Sequence, residues 1–325
     1  MNGNDVTTGQ APPRRVSIVT PFYNEAGVVA IYFERLGEVL REWSARIEFE
    51  FVCVNDGSRD GTLAELQAVR PPFGRIVVVD LSRNFGKEAA LSAGLDHATG
   101  DAVIPMDADL QDPPELVPRM IERWLGGAPV VLAVREDRRS DGWVKRSTSA
   151  AFYALHNHLA DTPIPPNAGD FRLIDRSVAD VVRSLPERQR FMKGLLSWPG
   201  FPAETLAYTR PPRAAGRTKW NYAKLTNLAV EGITSFSTAP LRASTVIGAL
   251  FAFVSMLYGG YIAVRTLVQG VDLPGYASLF AAVVFMGGVQ LLSLGILGEY
   301  VGRIYMESKQ RPVYVVRSVT ERCVP

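Results

Sequence analysis

The 325-residue sequence has only two cysteines, Cys53 and Cys323, and so cannot build a disulfide framework. Cys53 lies in the apolar run Phe51-Val52-Cys53-Val54, where a reduced thiol in a cytosolic setting is the simpler reading. Histidine is almost as scarce, and His97, His156 and His158 come without a matching cysteine or aspartate set, which argues against zinc. Charge of one sign is also lacking: 35 basic against 33 acidic residues leave +2, too little for a nucleic-acid-gripping face. No Gly-x-Gly-x-x-Gly or phosphate loop occurs, which removes the usual support for a dinucleotide or ATP site. The most informative shortage is local. From Ser244 to Gly302 only Arg265, Asp272 and Glu299 are charged, whereas 57 of the 68 charged residues fall in the first 240 positions.

The chain therefore has two solvents. Ser244 to Val264 is an uncharged run of 21 residues and Leu273 to Gly298 one of 26. As helices they would span about 32 and 39 Å, against a hydrocarbon core of about 30 Å. Buried core helices would keep a polar stripe, and none is visible, so two membrane spans are expected. Arg210, Arg213, Arg217, Lys219, Lys224 and Arg242 precede the first run, and Arg303, Lys309, Arg311, Arg317 and Arg322 follow the second. Positive-inside bias then puts both ends on the cytoplasmic side of a plasma (inner) membrane. Met1 to Arg15 has no apolar h-region and reads as a disordered tail. The expected division is a tail over 1–15, a cytoplasmic domain over 16–220, interfacial helices over 221–243, a two-helix hairpin over 244–302 and a cytoplasmic tail over 303–325. Leu225, Leu228, Ala229, Ile233 and Phe236 carry the helical spacing of the interfacial part.

Along the soluble part, short apolar runs alternate with amphipathic segments. Strands are expected at Val16–Thr20, Glu48–Val54, Ile76–Leu81, Ala102–Met106 and Val130–Val134, with helices at Val28–Trp43, Thr62–Val69, Lys87–Ala98 and Pro114–Leu125 between them. This is an α/β pattern, and such sheets bind ligands beyond the C-terminal ends of their parallel strands. The polar segments at those ends are Pro21-Phe22-Tyr23-Asn24-Glu25, Asn55-Asp56-Gly57-Ser58, Ser82-Arg83-Asn84-Phe85-Gly86-Lys87 and Asp107-Ala108-Asp109-Leu110-Gln111-Asp112. Asp107 and Asp109, one residue apart with Gln111 beyond, supply hard oxygen donors suited to Mg²⁺ or Mn²⁺ bound against a diphosphate. Asp112, before Pro113-Pro114, reads as a helix cap.

Those segments, with Asp112-Pro113-Pro114-Glu115, Gly169-Asp170-Phe171-Arg172-Leu173 and the terminal apolar pair, resemble glycosyltransferase family 2 from about Val16 to Val316. Within it the chain is most similar to the polyprenyl-phosphate glycosyltransferases, the bactoprenol glucosyltransferases and dolichol-phosphate mannose synthases. The resemblance implies a GT-A type, Rossmann-like mixed sheet followed by two transmembrane helices, a nucleotide-sugar donor and a membrane polyprenyl phosphate as acceptor. UDP-glucose and undecaprenyl phosphate are the preferred pair, with GDP-mannose as an alternative donor and a catalytically silent lipid-phosphate scaffold as another class of reading.

By the same resemblance, Pro21, Tyr23, Glu25, Asp56, Lys87 and Asp107 would bind the nucleotide sugar, with Asp56 accepting a hydrogen bond from the base. Asp107, Asp109 and Gln111 would hold the Mg²⁺ or Mn²⁺. Arg135, Arg138, Arg146 and Lys219 would meet the acceptor phosphate, Lys145 lies beside them, and Asp170, Asp109 and Arg135 would be catalytic. Arginine suits that task because its fork engages two phosphate oxygens. Asp170 is expected to position groups and only secondarily to take a proton, because a phosphate monoester is already mostly dianionic near neutrality. Gln189-Arg190-Phe191-Met192-Lys193 departs from the Gln-x-x-Arg-Trp of processive polysaccharide synthases. Gly216-Arg217-Thr218-Lys219-Trp220 resembles a loop near the family's active site, and Gly298-x-x-x-Gly302 leaves homo-oligomer packing open.

Overall fold

The computed structural model describes residues 14–135, 168–188, 190–209, 239–269 and 275–323. Its centre is an eight-stranded sheet in the order β7-β5-β6-β4-β1-β2-β3-β8. Five strands fall where the apolar runs lie: β1 (Arg14–Phe22), β2 (Ile47–Asn55), β3 (Arg75–Leu81), β4 (Ala102–Pro105) and β5 (Val130–Arg135). The remaining three are β6 (Ala168–Asp175), β7 (Ala203–Tyr208) and β8 (Val316–Cys323). β1 pairs in parallel with β2 and β4, and β2 with β3, whereas β6 runs antiparallel to both β4 and β5. The sheet is mixed, as the GT-A resemblance implies.

Both faces are covered. In β2, Phe51 and Cys53 point into one apolar cluster while Val52 and Val54 point into the other, the period-two pattern of a strand with no solvent face. The first cluster is covered by α1 (Val28–Leu40), α2 (Thr62–Ala68) and α4 (Leu116–Leu125), whose Leu116, Val117, Met120, Ile121 and Trp124 form one buried stripe. The second is covered by α3 (Lys87–His97) and by two helices not anticipated from sequence, α5 (Arg176–Ser184) and α6 (Met192–Leu195). Small residues let α3 lie close on the sheet: a Cβ at Gly94 would come within 2.2 Å of Val19 Cγ1. At the opposite strand ends, buried Glu50 accepts hydrogen bonds from Ser17, Arg75 and the Thr99 amide, a structural network outside the loops that carry the polar motifs.

The terminal apolar runs form α7 (Ala239–Gln269) and α8 (Tyr276–Ser308), and each contains a stretch long and apolar enough to cross a membrane. Large apolar side chains such as Leu250, Phe253, Met256, Leu291 and Leu292 are exposed along them, so among the described residues no protein core covers these faces. Glu299 and Arg303 pair at 2.9 Å, one helical turn apart. A Cβ at Gly298 or Gly302 would meet nothing within 4 Å, so among the described residues this motif packs no helix against another.

One boundary moves. Residues 303–325, read from sequence as a tail, include β8, which pairs antiparallel with β3 from Arg75↔Cys323 to Leu81↔Val316. The sheet is thus built from both ends of the chain. Arg317, Glu321 and Arg322, in a mostly exposed Val316–Cys323, fit an edge strand and hide it from an apolarity search.

Candidate active site

The four polar segments converge at the C-terminal edge of the parallel strands. Beyond β1, Asn24 takes a φ of +52°, which turns the chain back toward the segment after β2. The two are stitched together: Asn24 N donates to Ser58 Oγ at 3.0 Å, Arg59 N to Asn24 Oδ1 at 2.9 Å and Glu25 N to Thr62 Oγ1 at 2.9 Å. Tyr23 stands at the rim, 37% exposed, with Pro21 and Glu25 half-buried on either side. A base-sized ligand would find an aromatic face here.

Asp56 joins the third segment to the first two. Its carboxylate accepts Phe85 N at 2.7 Å, Gly86 N at 3.0 Å and Asn84 Nδ2 at 2.9 Å. Gly57 has a φ of +63°, and a Cβ there would lie 2.3 Å from the Arg83 carbonyl carbon, so only glycine lets the two turns touch. Burial pushes the Asp56 carboxyl up against these hydrogen bonds. A carboxylate offers about four lone-pair sites. With three of them engaged by the loop, Asp56 holds the third segment in place and retains room for one further donor.

Charge concentrates one strand further along. Lys87 opens α3, and its Nζ lies 2.8 Å from Asp107 Oδ1 and 2.8 Å from Asp170 Oδ2. Asp107 arrives because β4 ends just before it; Asp170 arrives because β6 is antiparallel and begins where its neighbours end. Asp170 is only 11% exposed, and its Oδ1 is buried with no hydrogen-bond partner among the described residues. Burial pushes the Asp170 carboxyl up, but the ammonium groups of Lys87 and Lys193 prevail and hold it well below the usual range. Lys87 itself is held charged by its two carboxylates against burial, which acts the other way.

Asp109 Oδ1 accepts Gln111 N at 3.1 Å, and Leu110 between them has a φ of +55°. That tight turn keeps Asp107, Asp109 and Gln111 on one short loop. Asp112 is not the helix cap expected from sequence. It is buried, its Oδ2 accepts Asp107 N at 3.4 Å and its Oδ1 lies 3.5 Å from the Tyr208 hydroxyl, so it supports the loop from beneath. The N-cap position of α4 belongs to Glu115.

Arg135 ends β5 at the same edge, half-buried and in register with Tyr208 of β7. Arg138, Lys145, Arg146, Lys219, the segment Gly216–Trp220 and the interfacial stretch 221–238 lie outside the described residues. His97 closes α3 with its Nδ1 2.8 Å from the Ala93 carbonyl oxygen, an ordinary helical role. Three contributors were not anticipated: Asn84 on Asp56, Lys193 acting on Asp170, and Glu88, whose Oε2 accepts Met192 N at 2.8 Å and ties α6 to α3.

Glu88 gives a pH prediction. Burial first, and the Asp170 charge next, push its carboxyl from an ordinary 4.5 up to about 7. A raised native value means that Glu88 stabilises the fold most below about pH 4.5 and that this contribution is lost as pH rises through 7. Glu88→Gln keeps an oxygen for Met192 N and removes the titration. The expected result is a flatter dependence of Tm on pH and a gain at pH 8 on the order of 2 kcal/mol. Parallel Tm profiles for the two proteins between pH 5 and 8 would refute it.

Comparison with known proteins bears on what the site does. The model for glycosyl transferase family 2 matches residues 17–183, and that for the GtrB C-terminal hairpin matches 239–304. The chain belongs to glycosyltransferase family 2. This glycosyltransferase is 50% identical over 301 residues to an uncharacterized glycosyltransferase of Synechocystis sp., covering 93% of this chain and 94% of that one. It is 49% identical over 304 residues to the bactoprenol glucosyl transferase of Shigella phage SfX, covering 94% and 99% respectively. Among solved structures, mannosyl-3-phosphoglycerate synthase of Rubrobacter xylanophilus superposes with a TM-score of 0.46 at 18% identity, over 82% of this chain and 80% of that one. That distance is too great to transfer residue roles, which here rest on the glycosyltransferase's own geometry. Lys193 and α6 fall between the two matched regions.

Proposed function

We propose that this glycosyltransferase moves glucose from UDP-glucose to undecaprenyl phosphate at the cytoplasmic face of the plasma (inner) membrane, with inversion at the anomeric carbon. The supporting observation is the Asp107–Lys87–Asp170 cluster at the ligand-binding edge of a chain matched over nearly its full length by bactoprenol glucosyl transferases, terminal hairpin included. α7 and α8 are read as the two spans, with both termini cytoplasmic.

The donor set fits a divalent cation such as Mg²⁺ or Mn²⁺: two carboxylates and an amide on one tight turn, with the unpartnered Asp170 Oδ1 and a resident ammonium marking a place that favours positive charge. Asp107, Asp109 and Gln111 would hold it. When bound, such a cation would neutralise the charge of the departing nucleoside diphosphate.

The remaining work falls to the chain's own residues. Pro21, Tyr23 and Glu25 flank the base, and Asp56 fixes the walls of its pocket and offers it one acceptor site. Lys87, at the first turn of an 11-residue helix whose free amides favour anions, meets the diphosphate. Arg135, with Arg138, Arg146 and Lys219, draws in the acceptor phosphate. That phosphate, with a second pKa of about 6, needs no base to make it a nucleophile. Asp170, held ionised and buried, is a poor proton acceptor near neutrality and orients sugar or acceptor instead.

The test is transfer of radiolabelled sugar from a panel of UDP- and GDP-sugars to undecaprenyl phosphate by the full-length protein in detergent with Mg²⁺ or Mn²⁺. Transfer from UDP-glucose, abolished by chelator and giving the β-linked product by NMR, is expected. Transfer from GDP-mannose alone would make it a mannose synthase. No transfer from any donor, with lipid-phosphate binding intact, would favour the silent scaffold.

A further inference from the structure

Lys87 engages two carboxylates at once, more than a residue serving only a diphosphate requires. Two oxygens each 2.8 Å from one nitrogen lie no more than about 5.6 Å apart, so Asp107 and Asp170 are near neighbours of like charge. Nothing else bonded to both neutralises them among the described residues, and Asp170 Oδ1 is left without a partner. The ammonium sits where a cation shared by these two groups would sit. It is also movable: the Lys87 side chain is 41% exposed, on a flexible four-carbon stem, whereas Asp170 is 11% exposed and carried by a sheet strand.

We propose that Lys87 is a resident counter-ion that blocks free divalent cations from Asp107 and gives up that carboxylate when the diphosphate of a nucleotide sugar offers the ammonium a new partner. Cation and donor then enter as a pair. Without the lysine, the two carboxylates would repel one another in a half-buried pocket and attract a divalent cation on their own. With it, a cation arriving alone must displace the ammonium from its charge-assisted hydrogen bond to Asp107. Once the ammonium has moved to the diphosphate, Asp170 is released to face the sugar. This inference rests on the donor reading above only in placing the diphosphate beside Lys87.

The experiment is Mn²⁺ titration followed by electron paramagnetic resonance on the full-length protein in detergent, alone and with UDP or GDP. Wild-type protein is expected to bind Mn²⁺ weakly alone and at least about tenfold more tightly with the matching nucleotide. Lys87→Met is expected to bind Mn²⁺ alone about tenfold more tightly than wild type, with the nucleotide adding far less. Lys193→Met removes a charge that acts on Asp170 through space, and a change below about threefold is expected. An Mn²⁺ affinity of Lys87→Met no higher than wild type, or an equal gain in Lys193→Met, overturns the proposal. Should Lys87→Met fail to fold, equal wild-type Mn²⁺ affinity with and without the matching nucleotide overturns it alone. Mn²⁺ binding is read without sugar transfer, so failure of the proposed reaction and failure of this mechanism are separately visible.

Discussion

Asp109→Asn is expected to lower sugar transfer by about a thousandfold or more while shifting Tm by no more than about 2 °C. The asparagine retains Oδ1, so the hydrogen bond from Gln111 N at 3.1 Å and the turn through Leu110 survive. What is lost is one negative charge among the oxygen donors. Stabilisation of a departing diphosphate by a bound cation is worth several kcal/mol, and about 4 kcal/mol corresponds to a thousandfold in rate. Asp112→Asn, on the same loop but supporting it from beneath, is the control and should lose far less. Retention of more than a tenth of wild-type turnover by Asp109→Asn, in the radiolabel assay with saturating metal, would remove Asp109 from the donor set.

What a sequence declares of its own fold follows from where information sits in the chain. β1 to β5 are runs of β-branched and aromatic residues closed by turn residues, and the loops after them carry Asn55-Asp56-Gly57-Ser58 and Asp107-Ala108-Asp109, so that half of the sheet and its polar edge are legible. β6 is not, because the buried side chains Asp170 and Arg172 break its apolar pattern. Arg172 is 1% exposed yet looks in sequence like a surface residue. Glu88 is not legible for a related reason: an acid beside a lysine in a first helical turn reads as a solvated pair, and only the fold reveals that Met192 closes over it. The sequence pattern around Asp56 identifies a turn, but not that its carboxylate holds the backbone of Phe85 and Gly86. Strand β8 is the largest omission, since pairing of Val78 with Thr320 joins opposite ends of the chain and no local signal encodes it.

That strand carries the second large effect. Deleting residues 312–325 is expected to lower the Tm of the sheet domain by about 10 °C and to promote aggregation. The deletion bares the edge of β3, where Val77, Val78 and Val79 are buried, and edge-exposed apolar strands recruit other chains. It also removes Tyr314 and Val316 from the second apolar cluster and the 2.6 Å hydrogen bond from the Tyr314 hydroxyl to Asp96. A loss of roughly 3–4 kcal/mol, at about 2–4 °C per kcal/mol for a domain of this size, gives that shift. A chain of contacts carries the effect toward the proposed donor site: Arg317 reaches buried Asp80 at 3.1 Å, Asp80 accepts Asn55 Nδ2 at 2.7 Å, and Asn55 Oδ1 accepts Ser58 N at 3.3 Å. Arg317→Met separates the two roles, because it keeps the strand and leaves Asp80 without its cation. It should hold Tm within a few degrees and weaken nucleotide binding several-fold. An undiminished nucleotide affinity in Arg317→Met would confine β8 to structural support. Loss in that variant would mean that the strand following α8, itself tied to the Arg188 amide through Glu307, links the hairpin to the pocket through side chains as well as through the backbone.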